Sequence, residues 1–318
     1  MSGQPAEPTV AKRGQRNVNR TPPRRAPEIV RPQSIMALGE GPLRTINWMD
    51  YGWPGCGKSC LFGTAKKGLF LDCDNGGSDA PAALGSTCDV RYVNDYKELT
   101  EAYEYFRYEE GCKVYDWVWW DSLTLFMDRS LYDDILLEAH DRNPAKQSRD
   151  VASQREYLVQ QNRIGSFVRD FCDLPINFGV AAHVMIEEMP TGADDGSTDL
   201  VYMPLIPGKR GTFSQKVCGY MNVVTYHGTT SRGTQRLITR RNKNYFAKDR
   251  FNALHDGAGN WRIDNPTVPK IEALITRRRM GNDQSQDSDR QGRRREGPGV
   301  RRLRRPASGA VRGRGAAS

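Results

Sequence analysis

The chain has 318 residues, of which 37% are hydrophobic, and its formal net charge is +9. No apolar run reaches the roughly 18 residues of a membrane span, so we expect no membrane protein. The seven scattered cysteines form no C-x-x-C pair, and the first residues lack the apolar stretch of a secretory signal. These features favour a cytoplasmic protein with free thiols.

The positive charge is concentrated at the two ends of the chain. Residues 1–33 carry +5 and residues 276–318 carry +9, so residues 34–275 carry −5. Both ends are poor in residues that can form a core, and we predict that they are disordered basic tails. Residues 34–275 are long enough to form one α/β domain.

In this middle region short apolar segments alternate with longer amphipathic ones, which predicts βαβ units and a mainly parallel sheet. The predicted strands are residues 45–51, 68–72, 114–121 and 177–183, with antiparallel strands at 221–227 and 234–241. The predicted helices start at residue 59, at a capping box formed by Asp95 and Glu98, and near residue 151. Residues 191–199 are predicted to be a polar loop or a hairpin tip.

Residues 52–59 (GWPGCGKS) match the phosphate-binding pattern G-x-x-x-x-G-K-[ST], between a predicted strand and a predicted helix. In this P-loop pattern backbone N–H groups wrap the phosphates, the lysine contacts the β- and γ-phosphates, and the final hydroxyl binds Mg²⁺. The alternative is a glycine-rich turn in another fold, and the strand–helix context argues against it. The predicted nucleotide-binding residues are Gly52, Trp53, Pro54, Gly55, Cys56, Gly57, Lys58, Ser59 and Cys60.

Polar residues end the strands that follow the P-loop. Asp121 ends the predicted strand 114–121 and is the candidate second acid of the magnesium site, with a helix cap as the alternative. Asp72 and Asp74 follow the second strand and are candidates to polarise the attacking water, unless they are solvated loop acids. His183 could sense the γ-phosphate or be a buried structural histidine.

The order of these motifs resembles the RecA-like recombinase core. The motifs are the P-loop, LFLDCD (69–74), VWWDS (118–122) and the polar end of the next strand. The pattern is most similar to the shortened RecA-type, AAA-type ATPases of bacteriophages that accompany single-strand annealing recombination. It covers roughly residues 40–255 and includes PLIPGK (204–209) and NYFAKDR (244–250). Only the P-loop is a highly specific motif.

The resemblance implies an ATPase that uses ATP and Mg²⁺, with Lys58 and Ser59 at the phosphates and at the magnesium, and Asp121 as the second acid. Asp74 stands where recombinases have a catalytic glutamate, and the shorter side chain puts efficient hydrolysis in doubt. His183 stands where they have a polar residue that couples the nucleotide state to a DNA-binding loop.

The resemblance also implies a homo-oligomer. Lys248 and Arg250 stand where related proteins supply cations to the nucleotide of a neighbouring subunit. If they do so here, the working form is a ring or a filament. The alternative is that both residues simply occupy a solvated strand end.

Arginine clusters at residues 277–279, 293–295 and 301–305 give a second indication of function. Such clusters neutralise nucleic-acid phosphates without a fixed fold, and we expect them to bind single-stranded DNA without base preference. The alternative is a tail that promotes solubility, or one that contacts a single-strand binding protein.

The sequence therefore predicts a DNA-stimulated ATPase of phage recombination or replication, located in the host cytoplasm. Three alternatives stay open. They are a ring helicase or other replication motor on the same core, a small-molecule kinase with a basic tail, and a nucleotide-switched binding module with little turnover.

Overall fold

A computed structural model describes residues 45–74, 76–108, 110–190, 197–208, 211–256 and 258–279. The predicted N-terminal tail and residues 280–318 of the predicted C-terminal tail lie outside these ranges. No helix in the described part of the chain is both long and apolar enough to cross a bilayer.

The described residues form a central sheet with helices around it and a separate two-stranded sheet. The strands are β1 (Asn47–Gly52), β2 (Gly68–Asp72), β3 (Asp89–Tyr92), β4 (Trp117–Asp121), β5 (Asn177–Ala182), β6 (Val184–Pro190), β7 (Thr198–Pro204), β8 (Val223–Thr229), β9 (Gln235–Ile238), β10 (Lys248–Asp249) and β11 (Arg262–Asp264). The helices are α1 (Lys58–Phe62), α2 (Asp79–Ala83), α3 (Tyr96–Tyr108), α4 (Gly111–Val114), α5 (Leu123–Ser130), α6 (Leu137–Arg142), α7 (Gln154–Cys172), α8 (Thr212–Tyr220) and α9 (268–279). A π-helical segment (Leu131–Leu136) joins α5 to α6.

The central sheet has the strand order β11-β9-β8-β1-β5-β4-β2-β3, with β10 paired to β8. The neighbouring pairs from β8 to β3 are parallel, whereas β9, β10 and β11 join by antiparallel pairing. Strands β6 and β7 form the second, antiparallel sheet. The predicted α/β fold, mainly parallel with antiparallel strands toward its C-terminal end, is confirmed.

Strand β4 reads as a continuous apolar run because both of its faces are buried, as expected of a central parallel strand. Val118 and Trp120 belong to one core cluster and Trp119 belongs to the other. The ring of Trp119 stacks on Phe62 of α1 with a centroid distance of 3.9 Å. It also covers Gly179 of β5, where a Cβ atom would lie 1.6 Å from the ring. Aromatic packing therefore fixes α1 against the strand that ends at Asp121.

The predicted strand 114–121 was too long at its start, because Gly111–Val114 form α4 and the strand begins at Trp117. The backbone N–H of Tyr115 donates to the carbonyl of Gly111 and closes that helical turn. Sequence periodicity alone missed this turn, since Val114 and Tyr115 are apolar like the strand that follows.

Two helix starts follow the expected capping chemistry. Asp95 accepts a hydrogen bond from the N–H of Glu98 at 2.7 Å before α3. Glu98 in turn accepts from the N–H of Asn94 rather than of Asp95. At the start of α7, Ser153 and Glu156 form a complete capping box.

Helix α9 runs to residue 279, four residues into the segment that the sequence assigns to the C-terminal tail. Ile271 and Ile275 of this helix are buried in the core, and the guanidinium of Arg279 lies 4.5 Å from the ring centre of Phe251. The folded part of the chain therefore includes the first arginine cluster.

Candidate nucleotide-binding site

The P-loop connects β1 to α1 at the carboxyl end of the parallel strands. Gly57 precedes α1 with a φ of 102°, a conformation that glycine adopts without strain. At Gly52 a Cβ atom would lie 2.2 Å from the carbonyl oxygen of His227 on the neighbouring strand β8. The loop therefore needs glycine at one position for its turn and at the other for close packing.

Lys58 lies inside the loop and is 7% exposed. Its Nζ donates hydrogen bonds to the carbonyl oxygens of Gly52 at 3.1 Å and Trp53 at 3.0 Å. The thiol of Cys56 lies 3.7 Å from the same ammonium, but burial raises the pKa of this thiol to about 11 despite the nearby positive charge. Cys56 is therefore a neutral neighbour of the lysine.

Asp121 ends β4 and is buried. Burial raises the pKa of its carboxyl to about 6, although a hydrogen bond from Ser59 and the charge of Lys58 both lower it. Within the described residues its Oδ2 has no hydrogen-bond partner. A buried carboxylate oxygen without a donor suits a bound cation, and Ser59 adds a hydroxyl beside it.

Asp72 is the register partner of Asp121 on the neighbouring strand β2. Its Oδ1 accepts from the N–H of Asp74 at 2.9 Å, and its Oδ2 accepts from the N–H and hydroxyl of Ser78 at 3.0 and 2.7 Å. Asp72 therefore holds the loop that follows β2. It is neither a solvated acid nor free to polarise a water.

Asp74 is exposed in that loop. Partial burial and the charge of Asp72 raise the pKa of Asp74, while nearby basic side chains, His183 first among them, lower it. The pKa of His183 is lowered by burial and by Lys58 and is raised by Asp74. Asp74 and His183 follow β2 and β5 at the sheet edge where the P-loop lies, and the pKa of each responds to the other and to Lys58.

The structure thus brings Lys58, Ser59, Asp74, Asp121 and His183 to the carboxyl ends of β1, β2, β4 and β5. Ligands bind at this edge in open α/β sheets. The catalytic roles assigned to these residues from the sequence stay predictions.

With this geometry described, comparisons with known proteins identify the family. A sequence family described as an AAA domain matches residues 45–251. The chain belongs to this family. It is therefore a nucleotide-binding P-loop ATPase domain.

A crystal structure of a KaiC-like protein from the hyperthermophilic archaeon Pyrococcus horikoshii OT3 overlaps 62% of this chain and 78% of its own chain. The identity is 9% and the TM-score is 0.36, and a similarity at this level does not by itself identify a fold. No curated protein matches the chain.

Within the described part of the AAA domain, no group of three or more His, Cys, Asp or Glu side chains could hold a metal ion. That Ser59 and Asp121 hold a magnesium ion stays a prediction.

Lys248 and Arg250 lie away from the P-loop of their own AAA domain. Lys248 pairs with Val224 near the start of β8, about 10 Å along the strand from the P-loop end at roughly 3.3 Å per residue. Its Nζ donates to the carbonyl of Cys218 at 2.6 Å, and Arg250 donates to the carbonyl of Gly219 at 3.0 Å.

These two carbonyls belong to the last turn of α8, where cations stabilise a helix. Burial and the charge of Arg250 lower the pKa of Lys248 to about 8. Lys248 is half-buried, so the alternative of a solvated strand end does not fit this residue. A role in a neighbouring subunit stays a prediction for both.

Sequence reasoning missed a buried polar chain beneath the P-loop. Asp50 of β1 accepts from the hydroxyl of Thr225 and lies 2.8 Å from Nδ1 of His227. Thr225 in turn accepts from the indole N–H of Trp48 at 2.8 Å. One sequence signal could have indicated this chain, namely the carboxylate of Asp50 inside the apolar strand β1. A buried charge needs polar partners, so such partners were to be expected nearby.

Proposed function

We propose that this chain is a Mg²⁺-dependent ATPase that acts on single-stranded DNA, in bacteriophage recombination or replication. The observation that carries the ATPase part is the buried carboxylate of Asp121. One of its oxygens lacks a partner within the described residues, and it lies beside Ser59 and Lys58. The single-strand part rests on the arginine clusters and on the resemblance to the phage RecA-type ATPases.

In this proposal Lys58 leaves the loop carbonyls and contacts the phosphates, and Ser59 and Asp121 hold the magnesium. The bound ion neutralises charge on the phosphates. Asp74 accepts a hydrogen bond from the attacking water, and its raised pKa makes it a better proton acceptor. His183 has a lowered pKa, so it is neutral near pH 7 and can donate one hydrogen bond toward the nucleotide.

The same proposal includes a ring or filament of subunits. Lys248 and Arg250 are too far along the sheet to reach the P-loop of their own chain, and Arg250 is exposed. A mixture of Lys58→Ala and Arg250→Ala subunits checks this arrangement. If the site is shared, mixing restores part of the ATPase activity that each variant lacks alone, and a site contained in one chain gives no recovery.

The proposed DNA contacts come from segments outside the described residues together with the domain. Residues 34–275 carry −5, so the domain needs a basic segment to approach the phosphate backbone. Contacts of this kind are insensitive to sequence and weaken steeply with salt.

The test is the ATPase rate with and without single-stranded DNA, for the wild type, for Lys58→Ala and for a chain truncated after residue 279. The truncation keeps all of α9 that the structure describes. We expect DNA to stimulate the wild type, no turnover in Lys58→Ala, and loss of stimulation on truncation. Absence of stimulation at every DNA length would contradict the proposal.

One observation favours the nucleotide-switched module as a second candidate. Asp74 is an aspartate where the resembling recombinases have a glutamate, and its side chain is exposed. Nucleotide-dependent DNA binding with negligible turnover would support this second function. ATP-driven separation of a duplex would instead indicate a helicase.

A further inference from the structure

The β8–β9 hairpin borders the P-loop on the side opposite Asp121. Strand β8 pairs with β1, and Gly52 at the start of the loop is the register partner of His227. The buried pair between Asp50 and His227 joins the same two strands. The hairpin is therefore held in a fixed position beside the phosphate-binding loop.

The first residue of β9, Gln235, reaches the loop itself. A Cβ atom on Gly57 would lie 2.1 Å from its Nε2, 2.7 Å from its Cδ and 3.2 Å from its Oε1. The whole carboxamide group therefore covers Gly57, the glycine before Lys58.

Gln235 is half-buried as a residue. In the described part of the chain its carboxamide has no hydrogen-bond partner, and neither of its polar atoms is among those closed off from water. An amide that keeps access to water beside a phosphate-binding loop can exchange that water for a ligand oxygen. Its position against a phosphate-binding loop suggests that a ligand supplies the missing partner.

We propose that Gln235 is a nucleotide-binding residue whose carboxamide donates a hydrogen bond to the phosphate chain. The inference rests on nucleotide binding by the P-loop. Lys58 and the loop backbone contact the phosphates from β1, and Gln235 adds a neutral donor from β9 on the far side. An amide N–H donor suits a phosphate oxygen.

The test measures binding of ATP and of inorganic tripolyphosphate, each with Mg²⁺, by titration calorimetry. The variants are Gln235→Glu, which puts a negative charge at the same place, and Gln235→Ala, which removes the amide. Ser231→Glu is the matched control, since it adds the same charge at an exposed position in the turn of the same hairpin. Thermal unfolding without ligand checks that each variant is folded.

We expect Gln235→Glu to weaken both ligands by about tenfold or more, and Gln235→Ala to weaken both by a few-fold. Ser231→Glu should bind both within about twofold of the wild type. Loss confined to ATP would overturn the phosphate contact, since tripolyphosphate has no sugar or base.

Wild-type affinity in Gln235→Glu, or tighter binding in Gln235→Ala, would show that the side chain only fills the empty loop. If the wild type binds neither ligand, the proposed ATPase function fails together with the inference. If the wild type binds and the Gln235 variants match it, only the inference fails.

Discussion

Asp72 and Asp121 end neighbouring strands, face each other in register and are both buried, yet their surroundings differ. Asp72 accepts three hydrogen bonds from the loop that follows it. Asp121 has a raised pKa and one oxygen without a partner among the described residues. The difference teaches that donors around a buried acid, rather than its burial or its strand position, decide whether it stabilises the fold or awaits a ligand.

The largest expected effect comes from Asp121→Asn. If Asp121 holds magnesium, the variant should lose about 100-fold in ATPase rate, while its unfolding temperature stays equal or rises because a buried carboxylate without full partners is removed. Steady-state ATPase assays and thermal unfolding measure the two effects. Wild-type turnover in this variant would place the magnesium acid elsewhere.

The next largest effect should be the pH dependence of Mg²⁺ and ATP binding, which tests the role of Asp121 as opposed to Asp72. Magnesium needs the ionised carboxylate, and burial raises the pKa of Asp121 from 3.8 to about 6. Affinity for Mg²⁺ with ATP should therefore fall about tenfold for each pH unit below 6. Titration calorimetry from pH 5 to 8 measures this fall.

Asp121→Asn is the control, since ATP itself also takes up protons in this range. The part of the fall that is due to Asp121 should be absent from the variant, and identical profiles would refute the assignment. The raised pKa also makes stability depend on pH, because folding favours the protonated carboxyl of Asp121. The ligand-free protein should gain its full stabilisation from this group below about pH 4 and lose it as the pH rises through 6.

Asp72→Asn should act on the fold in the opposite way. The amide nitrogen of asparagine cannot accept the hydrogen bonds of Ser78, so we expect the free energy of unfolding to fall by about 2 kcal/mol. Urea unfolding measures the loss. An unchanged midpoint would mean that the loop after β2 does not depend on this carboxylate.

Ser78→Ala should give the smallest effect among the tests of the difference between Asp72 and Asp121. Of the three groups that donate to Asp72, this variant removes only the hydroxyl, which should lower the free energy of unfolding by about 1 kcal/mol. Because the hydroxyl of Ser78 bonds to Asp72, which has no assigned role in nucleotide binding, nucleotide affinity should match that of the wild type. A large loss of affinity with unchanged stability would reverse the roles given to the two acids.

Much of the site could be predicted because its signals are local. The P-loop is a contiguous motif, and Asp121 ends an apolar run that is typical of a strand buried on both faces. Parallel strands place their carboxyl ends together, so Asp74 and His183 were also expected at that edge. The predicted strand boundaries were wrong where a short helix, α4, preceded β4.

The remaining features depend on contacts between distant segments. Nothing in the residues around Gln235 indicates that it covers Gly57, since the two are 178 positions apart in the sequence. Lys248 and Arg250 bond to the end of α8, which sequence reasoning did not predict. The partners of Asp72 were not predictable either, because they depend on how the loop after β2 folds back and brings Ser78 to the carboxylate.

The position of Trp53 has a consequence for measurement. Its ring is 52% exposed in the P-loop, whereas Trp48, Trp117, Trp119 and Trp120 are buried. Trp261 is half-exposed, so a Trp261→Phe variant leaves one indole open to an aqueous quencher. Fluorescence from that indole gives the protein a native optical signal, which reports on the phosphate-binding loop without an attached dye.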